Sequence, residues 1–298
     1  MKHYSVLSNE VIKKLNIKKD GIYIDCTLGL GGHTSLIAKK ANKGKVVAFD
    51  QDPNAMSKAK ENLSKYKNIL YVEDNFKNIK INLEKLGIKK VDGILYDLGT
   101  SYYQLTDEKR GFTYHGESTL DMRMNPNQNI SAINILNEYS KDELAEIFFK
   151  YGNEKKSHKL AQAIVDYRKN NKITLNTQLN EIIKSVKGFI KDKHPSKNIF
   201  QAIRIEVNDE MNVIKKSLND SIELLKKNGV ITVITFHSLE DRIVKKLFWE
   251  KKEDIDITNM GNIHKFKTNK VIYPTKKEIE INKASRSAKL RTLVKLEE

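Results

Sequence analysis

The chain contains a single cysteine, Cys26. Neither a disulfide framework nor a cysteine-based zinc site can be built from it, so no metal is expected and a reducing compartment suits it. No apolar run approaches the roughly 18 residues a membrane-spanning helix needs, so no membrane association is expected. The first residues, Met-Lys-His-Tyr-Ser, lack the apolar stretch of a secretion signal, and a cytoplasmic location is expected. Arginine is scarce. Lysine and arginine number 54 together, and seven are arginine (Arg110, Arg123, Arg168, Arg204, Arg242, Arg286 and Arg291), leaving 54 − 7 = 47 lysines.

The formal net charge of +16 invites a nucleic-acid partner. A lysine bias accompanied by many asparagines and isoleucines also fits the nucleotide composition of a genome, and both readings stand. The arginines are more informative, because a guanidinium recognises phosphate and carboxylate through a planar fork that lysine lacks. At 298 residues, with 39% apolar and 31% charged, the chain can bury a full core as one large domain with an insertion.

Strand and helix patterns alternate over the first hundred residues. Strands are expected at 22–27, 45–49, 69–72 and 91–96, with helices at 32–40, from 53 to about 66, and at 75–86. Asp52-Pro53 is a helix start, with a capping carboxylate followed by proline at the first helical position. Such alternation predicts right-handed crossovers and a parallel sheet. Residues 107–130 read as irregular. Helical periodicity then covers 141–151, opened by the capping box of Ser140 and Glu143, and 155–169, 177–187 and one long run at 197–227. The α/β pattern resumes with a strand at 229–236. His237 follows, then Ser238 and Asp241 at capping-box spacing and a helix to about 251. Residues 252–288 read as polar and irregular, and 290–296 as a last strand at the sheet edge.

Three of these strands end in turns that suit a nucleotide-type pocket: Asp25-Cys-Thr-Leu-Gly-Leu-Gly-Gly-His33, Asp50, and Asp97-Leu-Gly99. The third glycine of a dinucleotide fingerprint is missing, since Thr34 stands three residues after Gly31. Asp50 suits ribose hydroxyls in either an NAD or an S-adenosylmethionine site. The further acidic turns, Asp74-Asn-Phe76 and Asp97, favour a methyl donor, which has no pyrophosphate to cradle. Asp25 also reads as a turn cap, Phe76 as core, and His33 as a turn residue. His237-Ser238 is not set in a Gly-x-Ser-x-Gly elbow, which excludes a hydrolase of that type.

Several longer strings then carry a resemblance. They are the glycine loop 25–33, Gly93-Ile-Leu-Tyr-Asp-Leu-Gly-Thr-Ser101, Arg110-Gly-Phe112, Leu120-Asp-Met-Arg-Met124, Tyr151-Gly152, Phe200-Gln-Ala-Ile-Arg-Ile205 with Val207-Asn208, Phe236-His-Ser-Leu-Glu-Asp-Arg242 and Arg286-Ser-Ala-Lys-Leu-Arg291. Together they resemble the bacterial ribosomal RNA cytosine-N4 methyltransferase family (RsmH, or MraW) across nearly the whole chain. The loop Thr100-Ser-Tyr-Tyr-Gln104 departs from that family's usual Val-Ser-Ser-Pro-Gln. The segment before Arg286 lacks its usual proline and second arginine.

The resemblance implies an α/β, class I (Rossmann-like) S-adenosylmethionine-dependent methyltransferase with a mostly parallel sheet and an inserted helical domain. The expected division is a discontinuous core, 1–106 and 206–298, around a substrate-recognition insertion at 107–205. Gly31, Gly32, His33, Asp50, Phe76, Asp97 and Gln104 would contact S-adenosyl-L-methionine, with Asp97 also the catalytic residue. The target would be a cytidine in the decoding region of small-subunit (16S) ribosomal RNA, free or in the small ribosomal subunit. Ser101, Tyr102, Tyr103, Arg110, Phe112, Arg123, Arg204, His237, Arg242, Arg286 and Arg291 are the RNA-contact candidates, and each of these arginines reads equally as a member of a structural ion pair. Tyr102, Tyr103 and Phe112 would be shelves for an extruded base. A homodimer is compatible with the sequence. The competing functions are an NAD-type oxidoreductase and a non-catalytic RNA-binding protein on the same fold.

Overall fold

The computed structural model describes residues 5–188, 194–258 and 261–297, with backbone alone at 102, 108, 255–258 and 261–263. The chain divides into two compact units, residues 1–99 with 211–298, and residues 100–210. The second unit thus starts at Thr100 and ends at Glu210, against the expected 107–205.

The first unit opens with α1 (Ser8–Leu15) and then alternates β1 (Ile22–Asp25), α2 (Gly32–Lys40), β2 (Lys45–Asp50), α3 (Pro53–Asn62), β3 (Ile69–Glu73), α4 (Ile79–Lys85) and β4 (Val91–Asp97). Asp52 caps α3 by accepting from Asn54 N at 3.1 Å, with Pro53 in the first turn. The expected helix at 75–86 is instead a 3-10 turn, Phe76–Asn78, followed by α4. Asp74 draws the asparagines around it: its carboxylate accepts from Asn75 N at 2.7 Å, from Asn78 Nδ2 at 3.0 Å and from Asn82 Nδ2 at 2.7 Å.

The second unit is helical. It carries α5 (Tyr102–Thr106), α6 (Ala132–Glu138), α7 (Lys141–Lys150), α8 (Ser157–Arg168), α9 (Asn176–Lys187), α10 (Lys197–Val207) and the first residue of α11 (Glu210–Leu224). Ser140 and Glu143 form the expected capping box of α7. The run expected at 197–227 is broken at Asn208-Asp209, where Asp209 takes φ 48° and the Asn208 side chain turns to pin a loop. Asn208 Oδ1 accepts from Met124 N at 2.7 Å, and its Nδ2 donates to Met122 O at 2.8 Å. This unit has its own core, which includes Phe112, Leu120, Met122, Phe148 and Phe200.

The first unit resumes with the remainder of α11, then β5 (Leu225–Thr235), α12 (Ser238–Lys252), β6 (Ile255–Thr258), β7 (Gly261–His264), β8 (Phe266–Thr268), α13 (Lys276–Ile281) and β9 (Lys289–Lys295). The described residues of 252–288 therefore form a β6–β7 pair, a sheet strand and a helix, where sequence polarity suggested irregular chain. The seven-stranded sheet runs β3-β2-β1-β4-β5-β9-β8. The strands β3, β2, β1, β4 and β5 pair in parallel, whereas β9 is antiparallel to β5 and β8. The edge is β8, so β9 is an interior strand and not the edge strand expected.

Alternate residues feed the two faces of this sheet. Val47, Phe49, Ile94 and Tyr96 enter one core, and Val46, Ala48 and Leu95 enter the other. Burial on both faces is why these strands read as unbroken apolar runs. The chain order reverses beside β1, which has β2 on one side and β4 on the other. The carboxyl ends of parallel strands at such a reversal open a crevice for ligands.

Candidate active site

Four chain segments meet at that edge of the first unit. The β1 turn is tied to both neighbours, since Cys26 N donates to Leu95 O at 2.9 Å and Leu28 N to Phe49 O at 2.9 Å. Gly31 sits at φ 88° before α2, and an added Cβ would lie 2.5 Å from Leu63 Cδ1. Only glycine combines that backbone angle with that approach. A Cβ on Gly32 would run into Ser5 Oγ. The loop thus delivers the start of α2, with the first-turn N–H groups that no helical carbonyl accepts and its positive dipole end, to the crevice.

Asp25 is buried and caps the turn, as one reading of the sequence had it. Its Oδ1 accepts from Thr27 N at 3.0 Å, and its Oδ2 from the Thr34 hydroxyl at 2.6 Å. Burial raises the pKa of this carboxyl despite the Thr34 hydrogen bond. Thr27 in turn accepts the Asp97 backbone N–H on Oγ1 at 2.7 Å. Thr27 and Thr34 escaped the reading of the sequence. Nothing in a threonine two residues past a strand end marks it as the anchor of an aspartate 70 residues away.

Asp50 ends β2. Its Oδ2 accepts from Gly29 N at 2.9 Å and its Oδ1 from Asp52 N at 2.9 Å. Burial pushes its pKa up to about 7, more than those two bonds pull it down. Each oxygen retains a second lone pair for a further donor. Phe76 is half-buried and meets Tyr96 edge to face, with ring centroids 5.5 Å apart. Its carbonyl accepts from Ser217 Oγ at 2.9 Å, and that hydroxyl also lies 2.6 Å from Tyr96 Oη. Phe76 is therefore held at the strand end and also packs on the core.

Asp97 and His33 face each other across the crevice, with Asp97 Oδ2 3.5 Å from His33 Nε2. His33 is 5% exposed. Both its ring nitrogens and Asp97 Oδ1 are buried without a hydrogen bond of good geometry among the described residues. Burial lowers the His33 pKa, but the neighbouring Asp97 and Asp25 raise it more, and the net shift is upward. Buried polar atoms without partners are costly and uncommon, and at a crevice they point to a ligand.

Gln104 belongs to the second unit. There Ser101 caps α5, accepting from Gln104 N at 3.2 Å, while Gln104 Oε1 accepts from Ser101 N at 3.1 Å. Tyr103 is half-buried, and the Tyr102 side chain lies outside the described residues. Phe112 is 6% exposed within the helical core, so it has no open face and is not a shelf for an extruded base.

Of the arginines, several are engaged internally. Arg110 donates to the Arg123 and Met124 carbonyls at 2.7 and 3.1 Å. Arg123 forks onto Asp121 at 2.9 and 2.7 Å. Arg168 donates to the Leu136 and Tyr139 carbonyls at 2.8 and 2.6 Å. Arg204 forks onto Glu210 at 2.7 and 3.0 Å, and Arg291 onto Asp241 at 2.6 and 3.2 Å. The Arg110 and Arg123 bonds, with Asn208, hold the Leu120–Met124 loop, so the unusual string there is architecture. Arg242 and Arg286 are exposed, and no partner of either is found among the described residues.

His237, not Ser238, caps α12. The Glu240 carboxylate accepts from Phe236 N at 2.7 Å and His237 N at 3.2 Å, and His237 Nδ1 lies 3.5 Å from Glu240 N. The expected Ser238–Asp241 box fails because Asp241 is drawn to Arg291 and Lys289.

The engaged guanidiniums give a test. Changing Arg204 to lysine removes the fork and should lower unfolding stability in urea by about 1–2 kcal/mol. The salt dependence of binding to RNA, the partner expected from the sequence, should stay the same. A shallower salt dependence would make Arg204 a phosphate contact instead.

A model of the MraW methylase family matches residues 1–296. Among curated proteins, the ribosomal RNA small subunit methyltransferase H of Clostridium botulinum (strain Loch Maree / Type A3) is 49% identical, covering 99% of both chains. The protein of the same name from Clostridioides difficile (strain 630) is 46% identical with the same coverage. Among solved structures, an rRNA methylase from Streptococcus thermophilus aligns with a TM-score of 0.46 and 11% identity, covering 99% of this chain and 100% of that one.

Proposed function

Because this chain belongs to the MraW methylase family, we propose that it transfers a methyl group from S-adenosyl-L-methionine to the exocyclic N4 of a cytidine in the decoding region of small-subunit ribosomal RNA. The observation that carries this reading is the His33–Asp97 pair at the crevice, His33 Nε2 3.5 Å from Asp97 Oδ2 with Asp97 Oδ1 buried and without a hydrogen bond among the described residues, beside the Asp50 carboxylate. Those groups fit the donor. Asp50 offers lone pairs to ribose hydroxyls, Phe76 an aromatic surface to adenine, and the Gly31-Gly32-His33 turn a helix start to a carboxylate. When bound, the donor supplies an electrophilic methyl group on a sulfonium. An NAD-type oxidoreductase is set aside by the family membership and by the missing third glycine.

A cytosine amino nitrogen is a weak nucleophile, because its lone pair is delocalised into the ring. Asp97 accepts from the amino group and favours the more tetrahedral nitrogen that attack requires. Its backbone is held by Thr27, so the carboxylate is aimed before substrate arrives. As the nitrogen–methyl bond forms and the donor's sulfur–methyl bond breaks, leaving the electron pair on sulfur, the nitrogen becomes cationic, and it loses its proton to water afterwards, so a strong base is unnecessary. The target base must leave its stack to enter a pocket of this kind. The helical unit, residues 100–210, is assigned to substrate recognition. Arg242 and Arg286 are assigned to phosphate contacts. Among the described residues no helix is long and apolar enough to cross a membrane, and we place the reaction in the cytoplasm on the small ribosomal subunit.

The test is transfer of labelled methyl from the donor to small subunits from cells lacking this protein, with mass mapping of the modified nucleotide. Label on a single cytidine N4 is expected. Binding to subunits or to their RNA without any transfer, in the presence of the donor, would instead make the chain a non-catalytic RNA-binding protein.

A further inference from the structure

The chain has one tryptophan, Trp249, and it lies in solvent, 57% exposed, on α12. A buried position is the ordinary use of so large a ring, and the opposite face of α12 does supply Val244, Leu247 and Phe248 to the core. At 100° per residue, Arg242, Lys245, Lys246, Trp249 and Lys252 fall within about 120° of arc, making one stripe of the helix. Arg242, Lys245 and Lys246 are exposed. Lys252 Nζ sits 4.8 Å from the Trp249 ring centroid. Two glutamates lie toward the far end, with Glu250 3.8 Å from Lys246 and Glu253 3.8 Å from Lys252. Both pairs are exposed and contribute little, so the stripe keeps a positive balance.

The position of the helix gives this stripe a role. α12 starts directly after β5, whose Ile234 is in register with Asp97. The stripe therefore begins one turn into the helix from the pocket's edge of the sheet and runs away from it for about 15 Å, the rise from Arg242 to Lys252. A polyanion whose target base enters the crevice has flanking backbone to place, and cations interleaved with an open aromatic ring are what such a strand binds. We infer that this face of α12 docks the ribosomal RNA flanking the target, with Trp249 stacking on an unpaired base and Arg242, Lys245 and Lys246 on phosphates. The inference rests on the proposed RNA substrate and extends it to a surface that the sequence motifs did not mark beyond Arg242.

The single tryptophan makes the test direct, because 5-hydroxytryptophan incorporated in its place can be excited apart from the tryptophans of ribosomal proteins and reports this site alone. Small ribosomal subunits, titrated into the purified protein while methyl transfer is followed in the same samples, should quench and shift that emission. Trp249→Ala should weaken subunit binding about tenfold, and Trp249→Phe should restore most of the loss. Lys245→Glu with Lys246→Glu should lower the slope of log affinity against log salt by about 0.7 for each phosphate no longer neutralised. The ring is exposed, so these variants should unfold at the wild-type temperature. Unchanged fluorescence while methyl transfer proceeds overturns the docking surface and leaves the enzyme reading intact. Absence of both overturns the two together. Quenching with an unaltered salt slope in the double variant assigns the face to a protein partner and also overturns it.

Discussion

Replacing Asp97 by alanine is expected to lower methyl transfer at least about a hundredfold, the range seen when one preorganised acceptor or donor is removed from a transition state. At pH above the His33 titration, the same variant should unfold no more easily than the wild type. The Asp97 backbone is held by Thr27 Oγ1 at 2.7 Å, independently of its side chain. Its Oδ1 is buried without a partner, so deleting the carboxylate removes a desolvation cost without breaking a good hydrogen bond. His33 supplies a second readout. Burial alone lowers its pKa and Asp97 raises it, so the His33 titration followed by NMR should move down in Asp97→Ala. Wild-type transfer by the variant would remove Asp97 from the mechanism. A large loss of stability would make its role architectural.

Substitution of Asp50 by asparagine should weaken donor binding by about a hundredfold or more. Each hydrogen bond to a charged acceptor is worth about 1.5–3 kcal/mol, and about 1.4 kcal/mol is a factor of ten. Asparagine also presents one donor group where the carboxylate now accepts from both Gly29 N and Asp52 N. The wild-type protein carries the same information in its pH dependence. Burial raises the Asp50 pKa from 3.8 to about 7 in the free protein. Ribose hydroxyls donate to the ionised form, so a proton competes with the donor. Affinity measured by calorimetry should be flat above about pH 7 and fall below it, approaching tenfold per pH unit. Stability of the free protein runs the other way. The raised pKa contributes stability that is full below about 3.8 and is lost as pH rises through about 7. Donor affinity that is constant from pH 6 to 8 would remove Asp50 from the ribose contact.

The strand ends were readable because each is announced locally. Asp50 follows four consecutive buried residues, Val46–Phe49, and Asp52-Pro53 opens the next helix in both sequence and structure. The Ser140 capping box was equally plain, since its two partners are three residues apart. The cap of α12 was misread for an instructive reason. Ser238 and Asp241 have capping-box spacing, but Asp241 finds Arg291, 50 residues away, at 2.6 Å. The arginines illustrate the same limit. As scarce residues in a lysine-rich chain they read equally as phosphate contacts or as members of structural ion pairs, and only the structure shows Arg110, Arg123, Arg204 and Arg291 ending on carbonyls and carboxylates within the protein.

Sequence alone determined the alternation of strands and helices, the turns that can hold a nucleoside and the family to which the chain belongs. Those properties reside in neighbours within a few residues or in strings of fixed order. Tertiary structure decided which charged groups are spent on architecture, that β9 lies inside the sheet, that strands and a helix form within 252–288, and that Asp97 and His33 are left without good partners. Such outcomes depend on residues brought together from distant parts of the chain by parallel crossovers. Burial then shifts their ionisation, which no local pattern encodes.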